Sequence, residues 1–168
     1  MEAIVNLDSL RAMYKTELQE TCSVEAQLTE ALPKMADAAR DPQLKKAFEM
    51  HLEQTREHRR ILEDLLRGHS ANVREHTDQS MQAMVREAQK WAKIVQEPKF
   101  RDAGLIASAQ RIEHYEIAVY GTLATWAKQL GLDEDMRKLL RILDEEKEAD
   151  DKLTSLAKAS INPTAAAA

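Results

Sequence analysis

The stretch IASAQRIEHYEIAVYGTLATWAKQL, residues 106–130, decides the fold of this chain. Its apolar residues recur at alternating steps of three and four, which is the seam that a helix presents to the core of a bundle. Two glutamates fall on that seam. The whole line reads Ile106, Ala109, Glu113, Glu116, Tyr120, Leu123, Ala127 and Leu130. The stretch therefore predicts a long bundle helix that carries two carboxylates toward the core.

The same periodicity predicts four long helices, over about 8–39, 42–67, 100–130 and 133–160, and a shorter one over about 78–96. Local signals mark their ends: Asp41 with Pro42 is typical of a helix start, Gly68 and Gly131 of helix ends, and Asp133 is a candidate N-cap.

Only a few residues join the first two long helices, and likewise the last two, whereas about thirty residues separate the two pairs. This spacing predicts an all-α, ferritin-like four-helix bundle, in which two antiparallel hairpins are joined by one long crossover that carries a short fifth helix. We expect a single bundle domain over 1–160 and a disordered tail over 161–168.

Composition agrees with a helical protein, since only 4% of the 168 residues are aromatic and the chain has 4 Gly and 4 Pro. The net charge is -5, and acidic and basic residues are interleaved, which argues against nucleic-acid and membrane-surface partners. Cys22 is the only cysteine, which excludes an internal disulfide and fits a reducing compartment. The sequence begins without a signal-peptide pattern, and no apolar run approaches the roughly 20 residues that span a bilayer. We expect a cytoplasmic protein.

Polar residues also fall within the apolar stripe of the other long helices when each residue is turned by about 100°. They are Glu25 in the first helix, His51, Thr55 and His58 in the second, and Glu146 and Asp150 in the last. Gln54 lies at the margin of the stripe, whereas Glu53 and Glu57 lie near the opposite face. With a rise of about 1.5 Å per residue, counting from the hairpin turns places polar groups of all four helices at roughly one level.

An isolated buried carboxylate costs several kcal/mol, and like charges at close range add to that cost unless protons or cations intervene. Carboxylates with a little imidazole suit Fe(II) or Mn(II), and bundle cores host dinuclear sites of this kind. We therefore predict a dinuclear iron site, with manganese as an alternative, whose ligands are Glu25, His51, Glu113, Glu116, Glu146 and Asp150. The second helix leaves its ligand open among His51, Gln54 and His58, and Tyr120 either tunes the site or fills space. We assign no chemistry to His69, His76 and His114.

The chain resembles the YciE/YciF family of ferritin-like stress proteins, small bacterial helical bundles to which a ferroxidase function is ascribed. The resemblance covers nearly the whole chain and is most specific in RDAGLIASAQRIEHYEIAVYGTLATWAKQLG (101–131) and LLRILDEEKEADDKLTSLA (139–157), with support from VEAQLTEALPKMA (24–36) and AFEMHLEQT (47–55). It implies a cytoplasmic homodimer with a dinuclear iron site. The Glu-x-x-His motif of ferritins is replaced, since Arg56 follows Glu53 and Ala149 follows Glu146 at the third position.

Two functional hypotheses follow. The first is a ferritin-like di-iron oxidoreductase of the bacterial stress response, a ferroxidase or peroxidase that reduces O2 or H2O2, with manganese catalase chemistry also open. The second is a metal-free dimeric bundle that acts as an interaction or protective protein, with its buried acids protonated or paired. An iron-storage cage has less support, because nothing in the sequence identifies contacts that form a closed shell.

Overall fold

The computed structural model describes residues 7–74 and 76–167, and in these residues helices and their connections make up the whole architecture. The helices are α1 (Leu10–Ala38), α2 (Pro42–Gly68), α3 (Gln79–Ile94), α4 (Pro98–Gln129) and α5 (Asp133–Leu156), followed by a π-helical turn (Ala157–Ile161) and α6 (Asn162–Ala166). The all-α class and the five predicted helices are confirmed, with bounds within a few residues of those expected. Residues 1–6, Glu75 and Ala168 lie outside the described residues.

Capping explains most of the helix ends. The Ser9 hydroxyl accepts a hydrogen bond from the amide of Ala12, and one Asp41 carboxylate oxygen accepts from two amides of the first turn of α2. Gly131 ends the α4 region with a φ of 70°, the left-handed conformation that glycine adopts without strain. Asp133 differs from its expected role as N-cap, because Leu132 takes that position and Asp133 lies in an acidic first turn that favours the helix dipole.

Two aspartates show how the helices are arranged. Both carboxylate oxygens of Asp102, near the start of α4, accept hydrogen bonds of 2.8 Å from the amides of Arg40 and Asp41 in the α1–α2 connection. Asp135, at the start of α5, accepts from Tyr14 of α1 and lies 2.6 Å from Nε2 of His69 just after α2. α4 therefore begins at the end of the bundle opposite to that where α2 ends. The connection 69–97 crosses the full length of the bundle, and its helix α3 packs on α1 and α4.

The C-terminal segment is helical as far as Ala166, within the stretch 161–168 for which we expected a disordered tail. α5 passes into the π-helical turn and then into α6, and the turn and α6 both contact α4. The physical reason is Ile161, which is 3% exposed and extends the apolar stripe that Leu156 and Ala157 begin. Pro163 occupies the first turn of α6, where the absence of its amide hydrogen costs nothing.

The apolar core consists of two separate clusters. One is built around residues that include Leu28, Leu32, Phe48, Ile106 and Leu153. The other is built around residues that include Leu18, Leu62, Tyr120, Leu123 and Ile142. On each of the four long helices, the polar residues singled out above lie between a residue of one cluster and a residue of the other. Among the helices of the described chain, none is long and apolar enough to span a membrane.

Candidate metal centre

A layer of ionisable side chains separates the two apolar clusters. Its members are Glu25 of α1, His51 and His58 of α2, Glu113 and Glu116 of α4, and Glu146 of α5. All six are buried, with exposed fractions between 0% for Glu25, His58 and Glu146 and 6% for His51. Glu53 and Glu57 lie on the outer face of α2, as predicted, where their side chains are 70% and 45% exposed.

These side chains form two groups of ligand atoms. The first group comprises His51, Glu113, Glu116 and Glu146, and the second comprises Glu25, His58 and Glu146. Within each group the ligand atoms lie within 4.8 Å of one another. In the first group, Nε2 of His51 is 3.3 Å from a Glu113 oxygen and 3.6 Å from Oε2 of Glu146. Glu146 belongs to both groups, so its two oxygens can face two neighbouring cations.

The second group is organised by His58. Its Nδ1 lies 2.9 Å from Oε1 of Glu146 and 3.8 Å from Oε1 of Glu25, and neither approach has the geometry of a hydrogen bond. Its Nε2 is 2.7 Å from Oε2 of Glu145, whose side chain is 29% exposed. The Tyr120 hydroxyl donates to Oε1 of Glu25. A metal ion bound at Nδ1 would require Nε2 to carry the ring proton, and Glu145 is positioned to accept a hydrogen bond from that N–H.

Many of the buried polar atoms in this layer lack a hydrogen-bond partner within the described structure. They are both oxygens of Glu116 and of Glu146, one oxygen each of Glu25 and Glu113, both ring nitrogens of His51, Nδ1 of His58 and the Thr55 hydroxyl. Buried polar atoms are nearly always paired, because an unpaired one costs about 1–3 kcal/mol. Such a concentration at one level is what a site for cations requires.

Burial also changes how readily these groups ionise. Removal from water is the main cause that raises the pKa of Glu113 and Glu116 well above 4.5 and that of Glu25 to about 8. The pKa of His51 is lowered, chiefly because burial disfavours the imidazolium. At pH 7 without metal, the carboxyl group of Glu25 therefore holds a proton, and burial disfavours ionisation of Glu113 and Glu116 in the same direction.

The pKa values of His58 and Glu146 shift against the direction that burial favours. Burial alone lowers the pKa of His58, but the contact with Glu146 and the charge of Glu25 outweigh it and raise the pKa to about 9. Burial likewise raises the pKa of Glu146, but the contact with His58 and the charges of the two histidines outweigh it and hold the pKa below 4.5. An imidazolium next to a carboxylate is thus the charged centre of the metal-free layer.

The residues present have the chemistry to hold metal ions. Four carboxylates and two imidazoles converge from four helices, which is the donor chemistry of dinuclear iron and manganese sites in bundles. Metal ions bound there would displace the protons of the raised-pKa carboxyl groups and would provide partners for the unpaired oxygens.

Of the six predicted ligands, five lie in these groups and one does not. Asp150 is partly buried one turn beyond Glu146, where Oδ2 is 3.2 Å from Nε2 of His114 and Oδ1 accepts from Gln110. Its role as a ligand stays a prediction. His58, which the sequence left among the alternatives for α2, joins the second group, and the signal for it was its place in the stripe two turns after His51.

Comparison with known proteins agrees with this architecture. A family model described as a domain of unknown function, DUF892, matches residues 9–166. Protein YciF of Escherichia coli is 38% identical over 162 residues, which cover 96% of this chain and 98% of that protein. The chain belongs to the YciF family. The resemblance found in the sequence is thereby confirmed.

Solved structures show that the YciF-family fold extends over the chain. The crystal structure of the Escherichia coli stress protein YciF superposes with a TM-score of 0.88 at 38% identity and covers 92% of this chain and 98% of that one. YcfI from Rhodopseudomonas palustris gives a TM-score of 0.87 at 31% identity, with 91% and 98% covered. A protein from Xanthomonas campestris gives 0.72 at 20% identity, with 90% and 92% covered, and shares the fold.

Proposed function

We propose that this protein is a ferritin-like dinuclear metal protein that oxidises Fe(II) with H2O2 or O2. The observation that carries the proposal is the position of Glu146 in both ligand groups, because a carboxylate shared by two groups is suited to bridge two cations. With peroxide as the oxidant, two Fe(II) ions each give up one electron, and the peroxide takes up both electrons with two protons to form two water molecules.

The chain's own residues would serve this reaction in four ways. Carboxylates from three helices neutralise the charge of the cations, and His51 and His58 each give one group a nitrogen donor. The hydroxyl of Tyr120 holds Glu25 in place, and Glu145 holds His58. The apolar clusters on both sides keep bulk water away, which strengthens every electrostatic contact within the layer.

The description of a relative supports a cellular context. Escherichia coli YciF is described as a stress protein, and we extend a role in the stress response to this chain as part of the proposal. The cytoplasmic location and the homodimer expected from the sequence stay predictions.

Metal analysis of the untagged protein after anaerobic loading with Fe(II) tests the proposal. We expect about two iron ions per chain, as in other bundle carboxylate sites, and a rise in the melting temperature, because a ligand that binds only the folded state stabilises it. Glu116→Ala should abolish cooperative loading, whereas Glu53→Ala on the outer face of α2 should load like the wild type. Unchanged loading of Glu116→Ala would remove that residue from the site.

A second candidate, a metal-free bundle that acts through protein contacts, is favoured by one observation. The raised pKa values of Glu25, Glu113 and Glu116 let these carboxyl groups stay neutral without a cation. Under this reading, iron would neither bind in amounts above about a tenth of an ion per chain nor raise the melting temperature. The same loading experiment therefore decides between the two.

A further inference from the structure

A cleft between α2 and α5 connects the surface with the first ligand group. Its volume is about 210 Å³, and His51 and Glu113 lie among its lining residues. Both ring nitrogens of His51 and one oxygen of Glu113 lack a hydrogen-bond partner in the described structure, although both side chains are more than nine-tenths buried. A larger cleft of about 270 Å³ between Arg40 and Thr164 contains none of the site residues. Size alone therefore does not single out the α2–α5 cleft, but its contact with the ligand groups does.

Part of the cleft wall is apolar. Phe48 and Leu153 lie on opposite helices, and Ala149, one turn before Leu153, leaves the space that a larger side chain would fill. A cleft of this volume admits several waters or a partly hydrated ion.

The remaining lining residues include charged side chains from α5. One is Glu145, which contacts His58. Two others are Glu148 and Lys152. The ammonium of Lys152 reaches across to α2, where it lies 3.7 Å from the sulfur of Met50. Two carboxylates thus attract cations to the cleft, and one long cationic side chain extends from one helix to the other beside them.

We propose that this cleft is the route by which divalent metal cations reach the buried ligand groups, with Glu148 promoting and Lys152 restraining their entry. The proposal rests on the proposed function, since it assumes that cations bind in the polar layer. The charges indicate a cation: the exposed Glu148 and the partly exposed Glu145 line the cleft with carboxylates. Buried Glu113 and His51 add polar atoms that lack a hydrogen-bond partner in the described structure. The apolar lining residues, such as Phe48 and Leu153, offer a cation no ligand.

The test measures how fast Co(II) binds to the metal-free full-length protein under anaerobic conditions, by stopped-flow absorption, and separately how much binds at equilibrium. Ala149→Phe narrows the cleft without altering a ligand. We expect it to slow binding at least about tenfold, within the range over which access controls association rates, with an unchanged equilibrium amplitude. Ala118→Phe, at an exposed position of α4, is the matched control and should bind at the wild-type rate.

Two charge variants give an independent answer. At low salt we expect Glu148→Gln to slow binding and Lys152→Gln to speed it, each by about two- to fivefold, and both effects to vanish at high salt because ions screen exposed charges. If Ala149→Phe also lowers the amount of Co(II) bound at equilibrium, the two charge variants decide the question. Slower binding in Glu148→Gln with faster binding in Lys152→Gln supports the route, and unchanged binding rates in both overturn it. If Ala149→Phe binds the full amount of Co(II) at the wild-type rate, the proposed route is overturned, but the proposed function is not. Failure of the wild type to bind Co(II) overturns the proposed function together with it.

Discussion

The stability of the metal-free protein should fall as the pH rises from 6.5 to 8.5. Glu25 has a pKa of about 8 in the folded protein, compared with 4.5 for an exposed glutamate. Between these values the folded protein holds a proton that the unfolded chain has lost, so each pH unit lowers the free energy of unfolding by about 1.4 kcal/mol. From pH 6.5 to pH 8, Glu25 alone accounts for about 2 kcal/mol.

His58 acts in the same direction. Its pKa is raised from 6.5 to about 9, so the stability it contributes is fully present below pH 6.5 and is lost as the pH rises through 9. His51 and Glu146 have lowered pKa values, and their effects belong to pH values below this window. Because Glu25 and His58 interact, their contributions do not add fully, and we expect these two groups to account for a loss of about 2 to 4 kcal/mol. Glu113 and Glu116, whose pKa values are also raised by burial, act in the same direction.

Thermal unfolding of the metal-free protein in matched buffers provides the assay. For a chain of this size, 1 kcal/mol corresponds to about 2–4 °C, so the melting temperature should fall by roughly 5 to 15 °C. Glu25→Gln carries a neutral side chain of the same shape. Its melting temperature should fall less steeply with pH, because the contribution of the Glu25 proton is missing. After loading with Fe(II), the fall should disappear, because bound metal keeps the carboxylates ionised at every pH in the window. A flat or rising melting temperature in the metal-free wild type would refute the reasoning.

Further variants probe single contacts. Glu145→Leu removes the acceptor of His58 Nε2 and should weaken metal binding by about 10- to 100-fold in a calorimetric titration, whereas Glu148→Gln should leave the equilibrium affinity near that of the wild type. His58→Gln should lower metal affinity more than Asp150→Asn, and the reverse order would restore Asp150 as the better ligand. Asp102→Ala leaves two amides of the α1–α2 connection without their acceptor and should cost about 2–4 kcal/mol in denaturant unfolding, with no change in metal stoichiometry.

The sequence predicted the helices well because apolar periodicity and capping residues act locally. It also predicted the burial of Glu25, Glu113, Glu116 and Glu146, since a charged residue on an apolar stripe is visible on a helical wheel. The helical wheel predicts which face of its helix a residue occupies, and the number of residues from the hairpin turn predicts its approximate position along the bundle axis. Together they assign residues of four helices to one layer from the sequence alone.

What the sequence could not predict depends on side-chain direction and on contacts between helices. Asp150 shares the stripe with Glu146, yet its carboxylate meets His114 and Gln110, which no spacing within α5 specifies. The pairing of Glu145 with His58 joins residues 87 positions apart. Docking of the C-terminal turn that carries Ile161 on α4 likewise depends on the partner helix, so the tail looked patternless in isolation.

The polar layer between two apolar clusters also restricts how the helices can slide along one another. A shift of one helix by a single turn, about 5.4 Å, would move its ionisable group out of the layer and against the apolar residues of a neighbouring cluster. An ionised group misplaced in this way would cost several kcal/mol, and a neutral one would lose its polar surroundings. A uniformly apolar seam would tolerate the slip at little cost. The side chains that weaken the metal-free bundle at neutral pH are thus also the ones that fix its axial register, and they set the two ligand groups at the correct height before any cation arrives.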